Sequence, residues 1–470
     1  MNAAEARERA AVLGALVMAS ATGLTVLARA DVVLPPWVQE GDVPPPAWAR
    51  SVGPKPGDHG QATPLTIFAG ASRGAAERGV TIPGASLPFF GEKRGSGCSG
   101  RWWLVGPIAW VCSDDADLSP ADPPRGDLPT PSLAQEPPSA ASAPFAPLAP
   151  SPDEGPPLQY YFVSRDEGTS AYASLEAALD GDADRELEGG WAVGLAEQRV
   201  VDGKRWGRTS KGLWLAMQDL APARPSSFHG EVVVGGVLDF AWVVADQAGV
   251  WSEPSRRTKS VGTRARFERV PIAPAASEEG AQPRLDVVDA RAAGPDRTIR
   301  LDEGQWMLAR DLARPSLASV PAEVTRPEEH WIDVDLAAQV LVAYEGPRPV
   351  YATLVSTGRG AAGSEAATPA GSHRIWVKLL TTDMDNVGRE DAEAHYSMED
   401  VPYVQFFDGD VALHGTYWHR DFGRVKSHGC VNLAPLDARW LFTFTEPLRP
   451  AGWAAVFPTA LDPGTIVRVR

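Results

Sequence analysis

The sequence predicts a mainly β protein. Its ordered stretches alternate apolar and polar residues with the two-residue period of strands. Its 45 glycines and 43 prolines interrupt these stretches too often for long helices. A tryptophan with an aspartate five residues later also recurs as a segment ending, at Trp110/Asp115, Trp214/Asp219 and Trp306/Asp311.

Taken in order, residues 1–30 read as an export signal or membrane anchor. The apolar run from Ala10 to Leu27 ends on Ala28-Arg29-Ala30, an A-x-A cleavage pattern. An uncleaved anchor is the other reading, because the run nearly suffices to span a bilayer. Residues 31–57 form a Pro-rich linker, and 119–157 form a second, about a third proline, which suits an extended spacer able to reach across a wall or periplasmic space.

Around these linkers lie three candidate β units, 58–118, 158–222 and 236–314. In the second, KRWGRTSKGLWL reads as strand, turn, strand, with Gly207 and Gly212 at the turns. The late tryptophan before a closing strand resembles bacterial SH3-like domains, which are small β-barrels. That resemblance implies cell-wall glycan or peptide as the ligand class of such modules. The plainer reading is of unrelated small β units whose tryptophans are core.

From Trp331 the chain reads as a β-meander. Ile332, Val334 and Leu336 share one face, Gly346-Pro347 turns, and Val350 to Val355 is a further strand. Val404 to Phe407 and Val411 to Leu413 form a hairpin that delivers His414 at a strand end. Leu436 to Phe442 carries Leu436, Trp440 and Leu441 at helical spacing.

Charge and cysteine count narrow the function. A net charge of −16 with no long basic run argues against nucleic acid as a partner. Outside the cytosol cysteines tend to pair, and of three cysteines Cys98 and Cys112 lie close together. Pairing them leaves Cys430, in KSHGCVNL, as a free thiol; three unpaired thiols is the other reading.

A thiol attacks as thiolate and needs a base, a cation or a helix N-terminus nearby. His414 is a candidate base, and Cys430 precedes the expected helix. Backbone N–H groups around His428-Gly429-Cys430 could form an oxyanion hole, because Gly429 permits a sharp turn. The imidazole also needs a partner that fixes its tautomer. That partner is the Gly415 carbonyl or a side chain from elsewhere.

His414-Gly415-Thr416 followed by Ser427-His428-Gly429-Cys430-Val431-Asn432-Leu433 resembles the signature of the L,D-transpeptidases, the YkuD-type catalytic domain. The supporting stretches WIDVDLAAQVLVAYEG, Ser356-Thr357-Gly358, Thr368-Pro369-Ala370-Gly371 and FFDGDVALHGTYWH extend it over about 329–470. The resemblance implies a β-sandwich with short helices. It implies Cys430 as a nucleophile that forms a thioester with a peptidoglycan tetrapeptide stem, His414 as its base, and the Gly415 carbonyl as orienter. Ser427, His428, Gly429 and Asn432 would shape the pocket and oxyanion hole, with Thr416, Tyr417 and Trp418 beside them. The acyl group would pass to an amine, giving 3–3 cross-links or wall attachment, without metal or cofactor. Cell-envelope location follows from the same resemblance and from the export signal.

The rivals are fewer. His414, His419, His428 and Cys430 could suggest zinc, but paired C-x2-C spacing is missing. His419 and His395 read as surface or pocket-edge residues, and Tyr417 and Trp418 equally as core. Hydrolysis of the same acyl-enzyme, by an endopeptidase or carboxypeptidase, and a wall-binding protein with SH3-like modules are the alternative functions.

Overall fold

The computed structural model describes residues 51–55, 63–119, 157–254, 258–273, 297–302, 304–387 and 395–470. The segment 1–30 and nearly all of the two Pro-rich stretches lie outside these residues. The fold is mainly β, as the sequence predicts. Among the described residues no helix is long and apolar enough to cross a membrane.

The C-terminal part is a pair of sheets packed on one core. In the first, His330–Asp335, Val340–Glu345 and Arg348–Ser356 run as an antiparallel meander. Ile466–Val469 joins it parallel to His330–Asp335 and pairs on its other side with Gly371–Arg374. The second runs through Trp453–Val456, Val377–Asp385, Ser397–Asp408, Val411–Gly415 and Val431–Leu433, and returns to Arg348–Ser356. The shared strand binds the sheets together. The core contains Ile332, Val334, Val355, Tyr403, Leu413, Val431, Leu433 and Val467, with the helix Pro435–Phe444 supplying Ala438, Leu441 and Phe444.

The helix is held at both ends by buried polar groups. At its first turn Asp437 accepts hydrogen bonds from Tyr351 Oη (2.6 Å), Thr353 Oγ1 (2.5 Å) and the Gly230 N–H (2.7 Å). Burial still pushes its carboxyl up to about 6. At the other end the buried Lys378 Nζ donates to the carbonyls of Phe442 (2.7 Å) and Thr445 (2.6 Å). Those carbonyls have no partner within the helix, and a donor there also meets the negative end of the helix dipole.

The first unit is an all-β body, and its boundary corrects the sequence reading. Ser51–Pro54, read as linker from its prolines, is a strand paired on one side with Leu87–Pro88 and on the other with Ala116–Ser119. Burial of Val52 favours the strand, and Pro54 sits at its end, where a missing N–H costs least. A disulfide joins Cys98 and Cys112. The second and third units share an ending. Trp214–Ala216 leads into a 3-10 turn, Met217–Asp219, then Leu220–Pro222; Trp306–Leu308 leads into Ala309–Asp311, then Leu312–Ala313. The first unit has the tryptophan but a plain turn after Cys112. The second unit also has a short helix, Leu175–Asp180, capped by Ser174 and closed by Gly181 at φ 79°, which the sequence reading missed.

All three units are joined to the C-terminal sheets. Glu77–Thr81 pairs with Trp453–Val456, and Trp453 is buried in a core with Val52, Ile67, Phe89 and Val111. Gly79 is required there, since a Cβ would come within 2.3 Å of the Trp453 ring. Ala192 of the second unit pairs with Met398. Glu231–Val232 pairs with Arg348–Ser356, while Phe228 and Trp242 share a core with Phe422, Trp331 and Tyr344. The Pro-rich stretch at 119–157 therefore connects two units docked on the same domain, rather than holding a free module at a distance.

Replacing Lys378 by Met keeps the volume but strips two carbonyls of their donor. The expected result is a loss of about 1–3 kcal/mol, read as a lower denaturant midpoint for the transition that includes the C-terminal helix.

Candidate active site

Strand alternation decides which side chains meet. Val411–Gly415 and Val431–Leu433 run parallel, with Leu413 opposite Val431 and His414 opposite Asn432. Leu413, Val431 and Leu433 point into the core. Their neighbours Ala412, His414, Cys430 and Asn432 therefore share the outer face, because successive residues alternate sides. Cys430 accordingly packs against the buried cluster of Val401, Val404 and Ala412, as Phe406 and Trp418 also do. His414 lies one step further along the next strand, diagonal to Cys430.

The turn that delivers Cys430 is fixed by its neighbours. The N–H groups of Lys426 (3.0 Å) and Ser427 (3.1 Å) donate to the Thr357 carbonyl, and Arg359 N–H donates to Ser427 O at 3.0 Å. Thr368 Oγ1 donates to Gly429 O at 2.6 Å and accepts from Gly358 N–H at 2.8 Å. Within the turn, Ser427 Oγ donates to Cys430 O at 2.5 Å and accepts from Gly429 N–H at 3.2 Å. Gly429 adopts φ 133°, a region that side chains disfavour. Its N–H is turned to Ser427 Oγ.

His414 is buried and held from several sides. Its Nδ1 lies 3.2 Å from the Gly415 carbonyl and 3.5 Å from Thr416 Oγ1. A proton on Nδ1 satisfies that carbonyl and leaves the Nε2 lone pair to act as a base. Burial pulls its pKa down to about 4, although the bonds to Gly415 and to the Asn432 side chain oppose the shift. The Cys430 thiol is half-buried, 3.7 Å from the Asp410 carbonyl, and burial pushes it above its ordinary range. Near neutral pH the pair is therefore thiol and neutral imidazole, not a preformed ion pair.

The remaining expected residues divide. Asn432 sits between two imidazoles, its Nδ2 2.8 Å from His419 Nε2. His419, read from sequence as a surface or pocket-edge residue, is half-buried and joins this cluster through Asn432, with its pKa pulled down to about 4 by burial. His428 is exposed; Arg359 donates to its Nε2 at 2.6 Å, and Tyr396 stacks 6.1 Å away. His395 is also exposed, beside Asn386.

Trp418 lies over His414, with ring centroids 5.7 Å apart and planes 22° apart. Tyr417 is buried and so is a support rather than a groove wall. It meets Trp418 edge-on at 5.0 Å and stacks on Tyr160 at 3.9 Å. Tyr160 belongs to the second unit, and its hydroxyl donates to Asp400 O at 2.7 Å. An aromatic chain thus runs from that unit to His414, and no local sequence signal announces it.

Residues 329–469 match the family model of the L,D-transpeptidase catalytic domain, YkuD. Among solved structures, the chain is similar to a point mutant of the Enterococcus faecium L,D-transpeptidase, at 24% identity over 30% of this chain and 50% of that one, with a TM-score of 0.23. It is similar to the catalytic domain of the E. faecium enzyme solved by NMR, at 24% identity over 31% and 100%, with a TM-score of 0.24. It is also similar to L,D-transpeptidase 3 from Mycobacterium tuberculosis in complex with a faropenem-derived adduct, at 19% identity over 30% and 60%, with a TM-score of 0.24. The chain thus spans half the length of the first of these and 60% of the last. No curated protein matches.

Two measurements check this site. Alkylation of Cys430 by iodoacetamide should be slower at pH 7 than that of free cysteine, with a midpoint above the free thiol's, since a raised pKa means less thiolate. A midpoint well below that of free cysteine would instead reveal an ion pair. In Tyr160→Leu the His414 imidazole NMR resonances should shift, while Tyr160→Phe, which keeps the ring, should leave them nearly in place.

Proposed function

We propose that this chain is a cysteine-dependent L,D-transpeptidase acting on peptidoglycan stem peptides in the cell envelope. One observation carries the reading. Cys430 and His414 share the outer face of two parallel strands, with the Gly415 carbonyl on the far nitrogen of the imidazole.

The chemistry follows from the neutral pair. Cys430 Sγ attacks the carbonyl of the third stem residue while its proton moves to His414 Nε2. The depressed basicity of His414 favours prompt return of that proton, so the leaving D-Ala amine takes it as the C–N bond breaks. The product is a thioester. An acceptor amine then attacks, gives its proton to His414, and Sγ departs as the thiol. The Cys430 amide, next to Sγ, is the donor for the carbonyl oxygen as it gains charge. Trp418 over His414 excludes water and limits hydrolysis of the thioester.

The same proposal keeps the SH3-like reading for 158–222 and 236–314, on their shared strand, 3-10 turn and strand. The docking of all three N-terminal units makes them walls of the catalytic body.

With a disaccharide-tetrapeptide muropeptide, the wild-type protein should gain the mass of the acyl-enzyme and release D-Ala. Cys430→Ala should lose both, with kcat/KM down ~10³-fold or more. Adding a second muropeptide as amine acceptor should yield dimer; tripeptide alone would convert the reading to a hydrolase. Release of D-Ala by Cys430→Ala at the wild-type rate would refute the nucleophile.

A further inference from the structure

The second unit grips the hairpin Val377–Asp385/Ser397–Asp408 at an irregular point of its ladder. Thr382 pairs with Val401 and Met384 with Met398, so Glu399 and Asp400 both stand opposite Asp383. Such a bulge re-aims side chains. Asp400 takes φ 54°, a conformation that a non-glycine residue keeps only where its surroundings hold it. Two donors of the second unit hold it here. Its carbonyl accepts from Tyr160 Oη at 2.7 Å, and its carboxylate from Ser210 Oγ at 2.6 Å. Ser210 is itself fixed by its N–H on the Gly194 carbonyl at 3.0 Å. Gly194 leaves the room, since a Cβ there would come within 2.6 Å of the Asp400 carboxylate. The next residue, Lys211, reaches Asp383 at 2.6 Å and Glu399 at 2.8 Å. One ammonium thus ties both sides of the bulge to the second unit and offsets the repulsion among Asp383, Glu399 and Asp400.

The same part of the hairpin borders the site. Met384 and Met398, paired one step beyond the bulge, pack against the cluster of Val401, Val404 and Ala412, as Cys430 does. Tyr396 stacks on His428, two residues before Cys430, with ring planes 10° apart. The Glu399 carbonyl accepts from Tyr417 Oη at 2.9 Å, and Tyr417 meets the Trp418 that lies over His414. The bulge therefore has the second unit on one side and the surroundings of both reacting groups on the other.

We propose that Lys211 is a positioning residue, holding the arm formed by 383–385 and 396–400 so that it makes one wall of the donor-peptide groove beside Cys430. That a stem peptide lies along this wall rests on the peptidoglycan reading above; that the wall bounds the thiol does not. Lys211 acts through the arm and touches no reacting atom.

Reactivity of the thiol tests the wall without turnover. Cys98 and Cys112 are joined, so in the unreduced full chain a small reagent, iodoacetamide, and a bulky one, fluorescein maleimide, both report on Cys430. In Lys211→Met the bulky-to-small rate ratio should rise about 2–5-fold, the scale of a partly exposed ion pair. Glu399→Gln, nearly isosteric, should move it in the same direction. Lys211→Arg keeps the charge and should stay near wild type. Added salt should raise the ratio of the wild type but not that of Lys211→Met, because the cluster is partly open to solvent and is screened. With a muropeptide donor, KM should rise by a similar factor in Lys211→Met while kcat stays nearly constant. An unchanged ratio in folded Lys211→Met or Glu399→Gln overturns the proposal, and so does an equal rise in Lys211→Arg. A raised ratio in a protein whose wild type forms no thioester would keep the wall while removing the transferase reading.

Discussion

The site depends on the parallel pairing of Val411–Gly415 with Val431–Leu433. Parallel neighbours cannot be joined by a tight hairpin, so the intervening chain must cross over and come back in register. A slip by one residue would send Cys430 and Asn432 into the core and Val431 onto the opposite face of the sheet. The core therefore selects the chemistry: with Leu413, Val431 and Leu433 buried, His414 and Cys430 must emerge together. The pinned turn from Lys426 to Cys430 supplies the rest, since its bonds to Thr357, Arg359 and Thr368 leave the thiol little freedom.

Burial also sets the resting charges. His414 and Cys430 shift in opposite directions for one reason, the cost of charge in a dry place, and each shift favours the neutral form. A thiol that stays protonated until a carbonyl arrives is less exposed to stray oxidation, because oxidation follows thiolate character. The aromatic chain Tyr160–Tyr417–Trp418 extends this dry environment into the second unit. That unit is structural support for the His414 side of the site.

Much of the site was legible because its information is local. The hairpin, the helix near Leu436 and the strand-end position of His414 follow from short-range patterns, and the Gly415 carbonyl is adjacent in sequence. The stretches at Ser356 and Thr368 also proved to be where the turn is anchored. What was missed is long-range or conformational. Tyr160 reaches Tyr417 only through folding, and His419 joins Asn432 only because the loop curls back. The direction of the Gly429 N–H is set by Ser427 Oγ, which composition cannot convey. Pro54 disguised a strand whose pairing partners lie at 87–88 and 116–119. The helix Leu175–Asp180 did carry a signal, Ser174 before it and Gly181 after it, in a stretch read only as β.

Trp453 sits in the core of the first unit although it lies near the other end of the chain. Chains are made from the N-terminus onward, and a self-sufficient domain can close as soon as it emerges. This one cannot. Its Cys98–Cys112 crosslink can form early, but the place beside Val52 and Ile67 stays unfilled until residues 453–456 arrive and pair with Glu77–Thr81. The first unit is therefore completed only by residues more than three hundred positions further along, so its closure waits on the folding of the C-terminal sheets.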